Sequence, residues 1–205
     1  SAASDVYKRQ RDDLETMELN TNRLLDLVNQ LLDFRKTETQ GFQLNFVECD
    51  VSELLQKTYK RFKPLARERG LALSIETPES LYASVDREGL TKIISNLLTN
   101  AIKYSETYIR IRLYSEGERL LLSVCNDGLV IPVEMREEIF KPFIQYKTGT
   151  LRSVPGTGIG LALARSLAEL HEGTLCMEDS MENNCFLLSL PLKHEQTAVS
   201  YTHLR

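Results

Sequence analysis

The sequence reads as a layered α/β sandwich behind one long helix, on three observations. Residues 14–35 contain no proline or glycine and repeat apolar side chains at Leu14, Met17, Leu24, Val28 and Leu31, the spacing of one helical face. Residues 109–124 alternate apolar and polar on either side of a Glu116-Gly117 turn, the period of paired strands. A glycine-rich loop at 156–160 opens directly into an apolar helical stretch, and helical and strand patterns alternate elsewhere without an internal repeat, so a single layered domain is expected.

The first helix carries Leu25, Leu27, Leu32 and Phe34 beside its main stripe. That is more apolar surface than one face can hold, so it suits a bundle or dimer interface, with a core helix of one compact domain as the alternative. After Gly41, Phe42, Leu44 and Phe46 alternate with polar residues as far as Glu48 and predict a strand. Asp50-Val51-Ser52-Glu53 introduces an amphipathic helix to Arg69, with Gly70 as its stop. Leu71, Leu73 and Ile75 predict a second strand, residues 82–85 a weaker third, and Asp86 caps a helix running to Tyr104. The hairpin then sets Ile109, Ile111 and Leu113 against Leu120, Leu122 and Val124. Pro132 begins a short helix ending at Phe143, a loop runs to Gly158, and a helix to His171 stops at Gly173. Strands at 174–178 and 185–190 complete the expected domain.

With 42% hydrophobic and 26% charged residues among 205, the chain has the balance of a soluble protein with one core and an appendage. Its formal charge of −4 excludes the concentrated basic face that nucleic acid requires. No apolar run approaches the ~20 residues of a membrane span, and no secretory signal opens the chain, so no membrane contact is expected of this fragment. Cys49, Cys125, Cys176 and Cys185 have no paired spacing; they read as reduced thiols of a cytoplasmic protein, without a metal.

The two ends look foreign. Asp5-Val6-Tyr7-Lys8-Arg9-Gln10 back-translates as GAT GTG TAT AAG AGA CAG, and Val199-Ser200-Tyr201-Thr202-His203 as GTC TCT TAT ACA CAT. The second string lies within the reverse complement of the first, and the pair resembles the inverted transposon end used to tag sequencing libraries. The expected division is therefore an adapter-derived extension at 1–10, a bundle helix at 11–40, a catalytic domain at 41–192 and a tail at 193–205.

Three segments carry chemistry. On the helix ending at Tyr104, Asn96, Asn100 and Lys103 share a face. A neutral carbonyl oxygen suits Mg²⁺ and an ammonium suits phosphate, although an ordinary solvated face has the same look. At a strand end, Asn126-Asp127-Gly128 offers a side-chain oxygen to an adenine amino group and a close backbone approach, or forms simply a turn. Finally, Gly156-Thr157-Gly158-Ile159-Gly160-Leu161 presents unobstructed amides at a helix start, suited to a polyphosphate. A dinucleotide fingerprint would need a strand immediately upstream, where the polar stretch 147–155 stands. The Lys-Ser/Thr of a Walker loop is absent too.

Together, Asn-Leu-Leu-x-Asn-Ala-x-Lys-Tyr, Asn-Asp-Gly, Ile-Phe-x-x-Phe at 139–143 and Gly-Thr-Gly-Ile-Gly-Leu resemble, in order and spacing, the catalytic domain of sensor histidine kinases. The similarity covers about residues 42–191 and implies the two-layer sandwich of the histidine kinase/gyrase-type ATPase class. Residues 22–36 look like the second helix of the dimerisation bundle in hybrid members. The resemblance implies ATP and Mg²⁺ as ligands. Asn100 would hold the metal, with Asn96, Lys103 and Tyr104 lining the site and Asn126, Asp127, Gly128 and Ile131 around the adenine. Phe140 and Phe143 would anchor a lid over about 144–155, or else pack plainly in the core, and residues 156–161 would close on the phosphates. It further implies a homodimer through the bundle helix, a response-regulator receiver domain as partner, and a cytoplasmic site in a membrane-anchored parent.

Two departures stand out. Such families place Asp where Asn126 stands and glycine where Val130 stands, which weakens the charge and backbone freedom of the adenine box; Asp127 is the candidate substitute. Gyrase-type relatives carry a water-activating glutamate where Asn96 stands, so hydrolysis is not expected. None of His171, His194 and His203 sits in an acceptor motif, so the phosphorylated histidine is expected on a helix missing from this fragment.

Overall fold

The computed structural model describes residues 2–39, 43–146, 156–180 and 182–193. One long helix, α1 (Ala2–Glu38), precedes the sandwich and includes residues 2–10 of the proposed adapter-derived extension. The strand expected from Phe42 appears later, as β1 (Val47–Asp50). The Phe46 ring instead meets His171 edge-on, with centroids 5.5 Å apart. Helix α2 (Val51–Glu68) begins where Asp50 accepts from the amides of Ser52 and Glu53, satisfying donors that a helix start leaves open. Gly70, at φ +72°, ends it.

Strands β2 (Ala72–Glu76) and β3 (Tyr82–Val85) lead to α3 (Arg87–Tyr104), whose first turn Asp86 caps through the Gly89 amide. The hairpin of β4 (Tyr108–Glu116) and β5 (Arg119–Asn126) turns at Gly117-Glu118, one residue later than the sequence suggested, because Glu116 still pairs with Arg119. The helix expected from Pro132 is replaced by two 3₁₀ turns, Val133–Met135 and Glu138–Phe140. With Pro142 close behind, the segment is too short to sustain an α-helix alone. Helix α4 (Gly160–Leu170), β6 (Thr174–Met177) and β7 (Asn184–Pro191) complete the chain.

The strands form a five-stranded sheet ordered β2-β4-β5-β7-β6 and a β1-β3 ribbon. Only β2 and β4 run parallel; the other neighbouring pairs are antiparallel. One sheet face buries Ile109, Ile111, Leu122, Val124, Phe186 and Leu188 against Leu90, Ile94, Leu97 and Leu98 of α3 and Leu163 and Leu167 of α4. Alternation puts Cys125, Cys185 and Ser123 on the opposite face. Fully buried His171 ties the layers at the far end: its Nε2 accepts from the Asp86 amide at 3.1 Å, and its Nδ1 lies 2.7 Å from the Leu167 carbonyl. Both ring nitrogens are therefore engaged.

Cysteine usage differs from the expectation. Cys125 and Cys185 face each other across β5 and β7 and form a disulfide, while Cys49 and Cys176 are free. Register, not spacing in the sequence, brings them together.

Candidate functional site

The site gathers at the C-terminal half of α3. Helical spacing turns Leu97, Leu98, Ala101 and Ile102 into the core and leaves Asn96, Asn100 and Lys103 half-buried on the other side. Three glycines then meet that face. A methyl carbon on Gly128 would overlap the Tyr104 carbonyl oxygen, and one on Gly156 would overlap Lys103 Nζ. On Gly160 it would lie 3.0 Å from Asn96 Oδ1. The glycine-rich segments are therefore seated close against α3, and at Gly128, where the neighbour is backbone, a larger residue would force the chain apart.

The Ile-Phe-x-x-Phe segment divides its two rings. Phe140 is buried, edge-on to Phe186 at 6.1 Å, with the Arg165 guanidinium 4.9 Å above its ring. Phe143 is 64% exposed and holds φ +67°, a conformation costly for an aromatic residue. Its amide donates to the Gly158 carbonyl at 2.9 Å, and Gly158 itself has φ +69°. So Phe140 packs in the core, and Phe143 marks where the chain joins the glycine loop. Most of the expected lid, 147–155, lies outside the described residues.

Within the loop, the Thr157 hydroxyl accepts from the Ile159 amide at 3.2 Å and donates to Gln30 Oε1 of α1 at 2.9 Å. Gln145 donates to the Gly156 carbonyl. Ile159, expected at the ligand, points elsewhere: it is fully buried in the core, because the residue before α4 must close the apolar layer. Leu161 likewise packs against the core, half-buried.

The segment expected to meet adenine is supported by a residue that sequence reading missed. Asn184 of β7, opposite Asn126 in register, accepts from the Ile131 amide at 2.9 Å and donates to the Leu129 and Gly128 carbonyls at 2.9 and 3.3 Å. A buried asparagine beginning an apolar strand was the one available signal. Asn126 is 2% exposed, and its Nδ2 has no partner among the described residues.

Asp127 turns its carboxylate to the segment that follows α3. It accepts from the Thr107 hydroxyl and from the amides of Thr107, Tyr108 and Glu106 at 3.0 to 3.1 Å. Partial burial alone would raise its pKa, but these donors outweigh it and hold the pKa at about 2. Its neighbour points to the opposite sheet face, so one carboxylate cannot serve both.

The pattern of the family described as histidine kinase-, DNA gyrase B-, and HSP90-like ATPase matches residues 85–194. The chain belongs to this family. It is 34% identical over 188 residues to the sensor histidine kinase TmoS of Ectopseudomonas mendocina, covering 90% of this chain and 19% of that protein. Identity to the alginate biosynthesis sensor protein KinB of Pseudomonas aeruginosa is 31%, over 90% of this chain and 31% of that one. The chain thus spans under a third of the length of these relatives. Among solved structures, a nucleotide-free catalytic domain of histidine kinase ThkA superposes with a TM-score of 0.66 at 29% identity, covering 74% of this chain and all of that domain. ThkA in complex with the response regulator TrrA gives 0.68 at 25% identity, covering 84% of this chain and 48% of that one. The two-layer sandwich is the histidine kinase ATPase fold, and residues 85–194 are the catalytic domain type of sensor kinases.

Proposed function

We propose that this chain is the ATP-binding catalytic part of a two-component sensor histidine kinase, which transfers the γ-phosphoryl group of Mg-ATP to a histidine outside the chain. The carrying observation is the seating of Gly128, Gly156 and Gly160 on Tyr104, Lys103 and Asn96. It supports a single pocket with amides, an ammonium and an adenine box on one helix face. Lys103 sets a point charge beside the glycine loop for phosphate oxygens. Asn100 would hold Mg²⁺, which when bound neutralises those oxygens. Asn126 Oδ1 would accept from the adenine amino group. Catalysis then rests on positioning and electrostatics. His171 is no acceptor, since burial and two engaged nitrogens close it off.

The exposed side chains Leu14, Met17, Leu24, Leu25, Val28 and Leu32 of α1 support a homodimer through this helix in the intact parent. A receiver domain is the onward partner by the same reading.

A second reading, a nucleotide-sensing module with impaired catalysis, is favoured by one observation: Asn126 lacks a negative charge, and Asp127 is engaged elsewhere. Calorimetry separates binding from no binding. Mg-ATP uptake should fall at least tenfold in Asn100→Ala without loss of folding, and unchanged uptake would sink the assignment. Adding a bundle-helix fragment that bears the acceptor histidine, with labelled ATP, then separates kinase from sensor by whether label reaches the histidine.

A further inference from the structure

The open sheet face carries a feature that the nucleotide site does not use. Across four adjacent strands, one row reads Arg110 of β4, Cys125 of β5, Cys185 of β7 and Glu178 beside β6. The two cysteines form the disulfide and are both partly exposed. Glu178 donates its amide to the Cys185 carbonyl at 2.9 Å, and its carboxylate lies within 4.8 Å of both sulfurs. Ser123 Oγ bridges the pair, 3.4 Å from Cys125 Sγ and 3.2 Å from Glu178 Oε2.

The next residues inward are Asn126 and Asn184, also register partners. Asn184 holds the 128–131 turn by three hydrogen bonds. The sulfur bridge therefore joins the two strand ends at the root of the adenine box, from the solvent side.

We propose that Cys125 and Cys185 form a thiol–disulfide exchange site for small-molecule thiols and disulfides, and that its bridged state clamps the 128–131 turn for nucleotide. A thiolate attacks one sulfur, the Sγ–Sγ bond breaks, and the other cysteine leaves as a thiolate that takes a proton from water. A second small thiol resolves the mixed disulfide. The bridge gains two electrons and two protons, and one small-molecule disulfide leaves. Glu178, with its carboxylate within 4.8 Å of both sulfurs, repels an incoming anion. The free cysteines stay outside the exchange: burial pushes the Cys49 and Cys176 thiols up, which keeps them protonated.

The coupling to nucleotide rests on the proposed ATP site; the exchange does not. The full chain is equilibrated with oxidised or reduced glutathione, then denatured under acid, and its free thiols are counted by alkylation and mass. Two labelled sites, Cys49 and Cys176, are expected in the oxidised chain and four in the reduced one. Mg-ATP should bind at least threefold tighter to the oxidised chain, and Cys125→Ser should bind as the reduced chain does in either buffer. Four free thiols under excess oxidised glutathione overturn the site. Correct thiol counts with identical ATP affinities overturn the clamp alone. Failure of ATP to bind in both states removes the nucleotide pocket and the clamp together, while the thiol count still decides the exchange. Because the wild-type chain carries both states, no variant needs to fold for the test to stand.

Discussion

Helices α1 and α3 are both long and rich in leucine, yet they treat their apolar surface in opposite ways. Helix α3 buries Leu90, Ile93, Ile94, Leu97, Leu98 and Ala101 almost completely and leaves one polar face, which carries Asn96, Asn100 and Lys103. Helix α1 leans on the domain through Phe34, a Lys92–Asp33 ion pair of 2.9 Å and the Gln30 contact, while Leu14 and Leu24 stay more than 60% exposed. A helix that has satisfied its apolar face within its own domain can devote the rest to a ligand. One that has not leaves the surface on which the proposed homodimer would form.

The largest test of this contrast is a pair of truncations. Leu97→Ala should destabilise the chain by about 3–5 kcal/mol through lost burial and a cavity. Leu24→Ala should change monomer stability by less than about 0.5 kcal/mol while weakening self-association. Urea unfolding and sedimentation velocity read the two effects, and equal destabilisation would break the comparison. Next comes Gly128→Ala, where the new methyl meets the Tyr104 carbonyl at the end of α3. A loss of about 1–3 kcal/mol is expected from forced displacement, together with a weaker nucleotide isotherm; a neutral result would mean that this contact does not shape the pocket.

The smallest effect concerns the carboxylate fastening the chain after α3. The Asp127 carboxyl is held at about 2, below its unfolded value. Its contribution is therefore complete above roughly pH 4 and is lost as pH falls toward 2. Asp127→Asn should lower stability at neutral pH by about 1–2 kcal/mol, the low end for charged hydrogen bonds at a half-exposed group. The variant should also flatten the decline of melting temperature between pH 4 and 2. An unchanged acid profile would show that the three amides find other acceptors.

Much of α3 could be read directly. Asp86 precedes it and the apolar spacing runs unbroken to Tyr104, so the caps and the face follow from neighbours in sequence. The same holds for the start of α2 at Asp50. Residues 133–140 could not be read this way: Pro132 and the spacing suggest a helix, but Ile139 and Phe140 enter the core through two short 3₁₀ turns instead. The start of β1 depended on its partner, because Val47 pairs with Val85, while the Phe46 ring packs edge-on against His171. In the site, the Asn/Lys face and the glycines were legible as motifs. The support from Asn184, the diversion of Asp127 and the burial of Ile159 were not.

Sequence alone determined the capped starts of α2 and α3, which of their faces are apolar, and the order of the four motifs, since these depend on interactions within a few residues along the chain. Tertiary structure decided which strands became neighbours, and with that the pairing of cysteines 60 residues apart and the three contacts by which Asn184 steadies the turn at 128–131. Such contacts follow from the registry of the finished sheet. A one-residue slip in pairing would turn each of these side chains to the opposite face, and no local pattern encodes that choice.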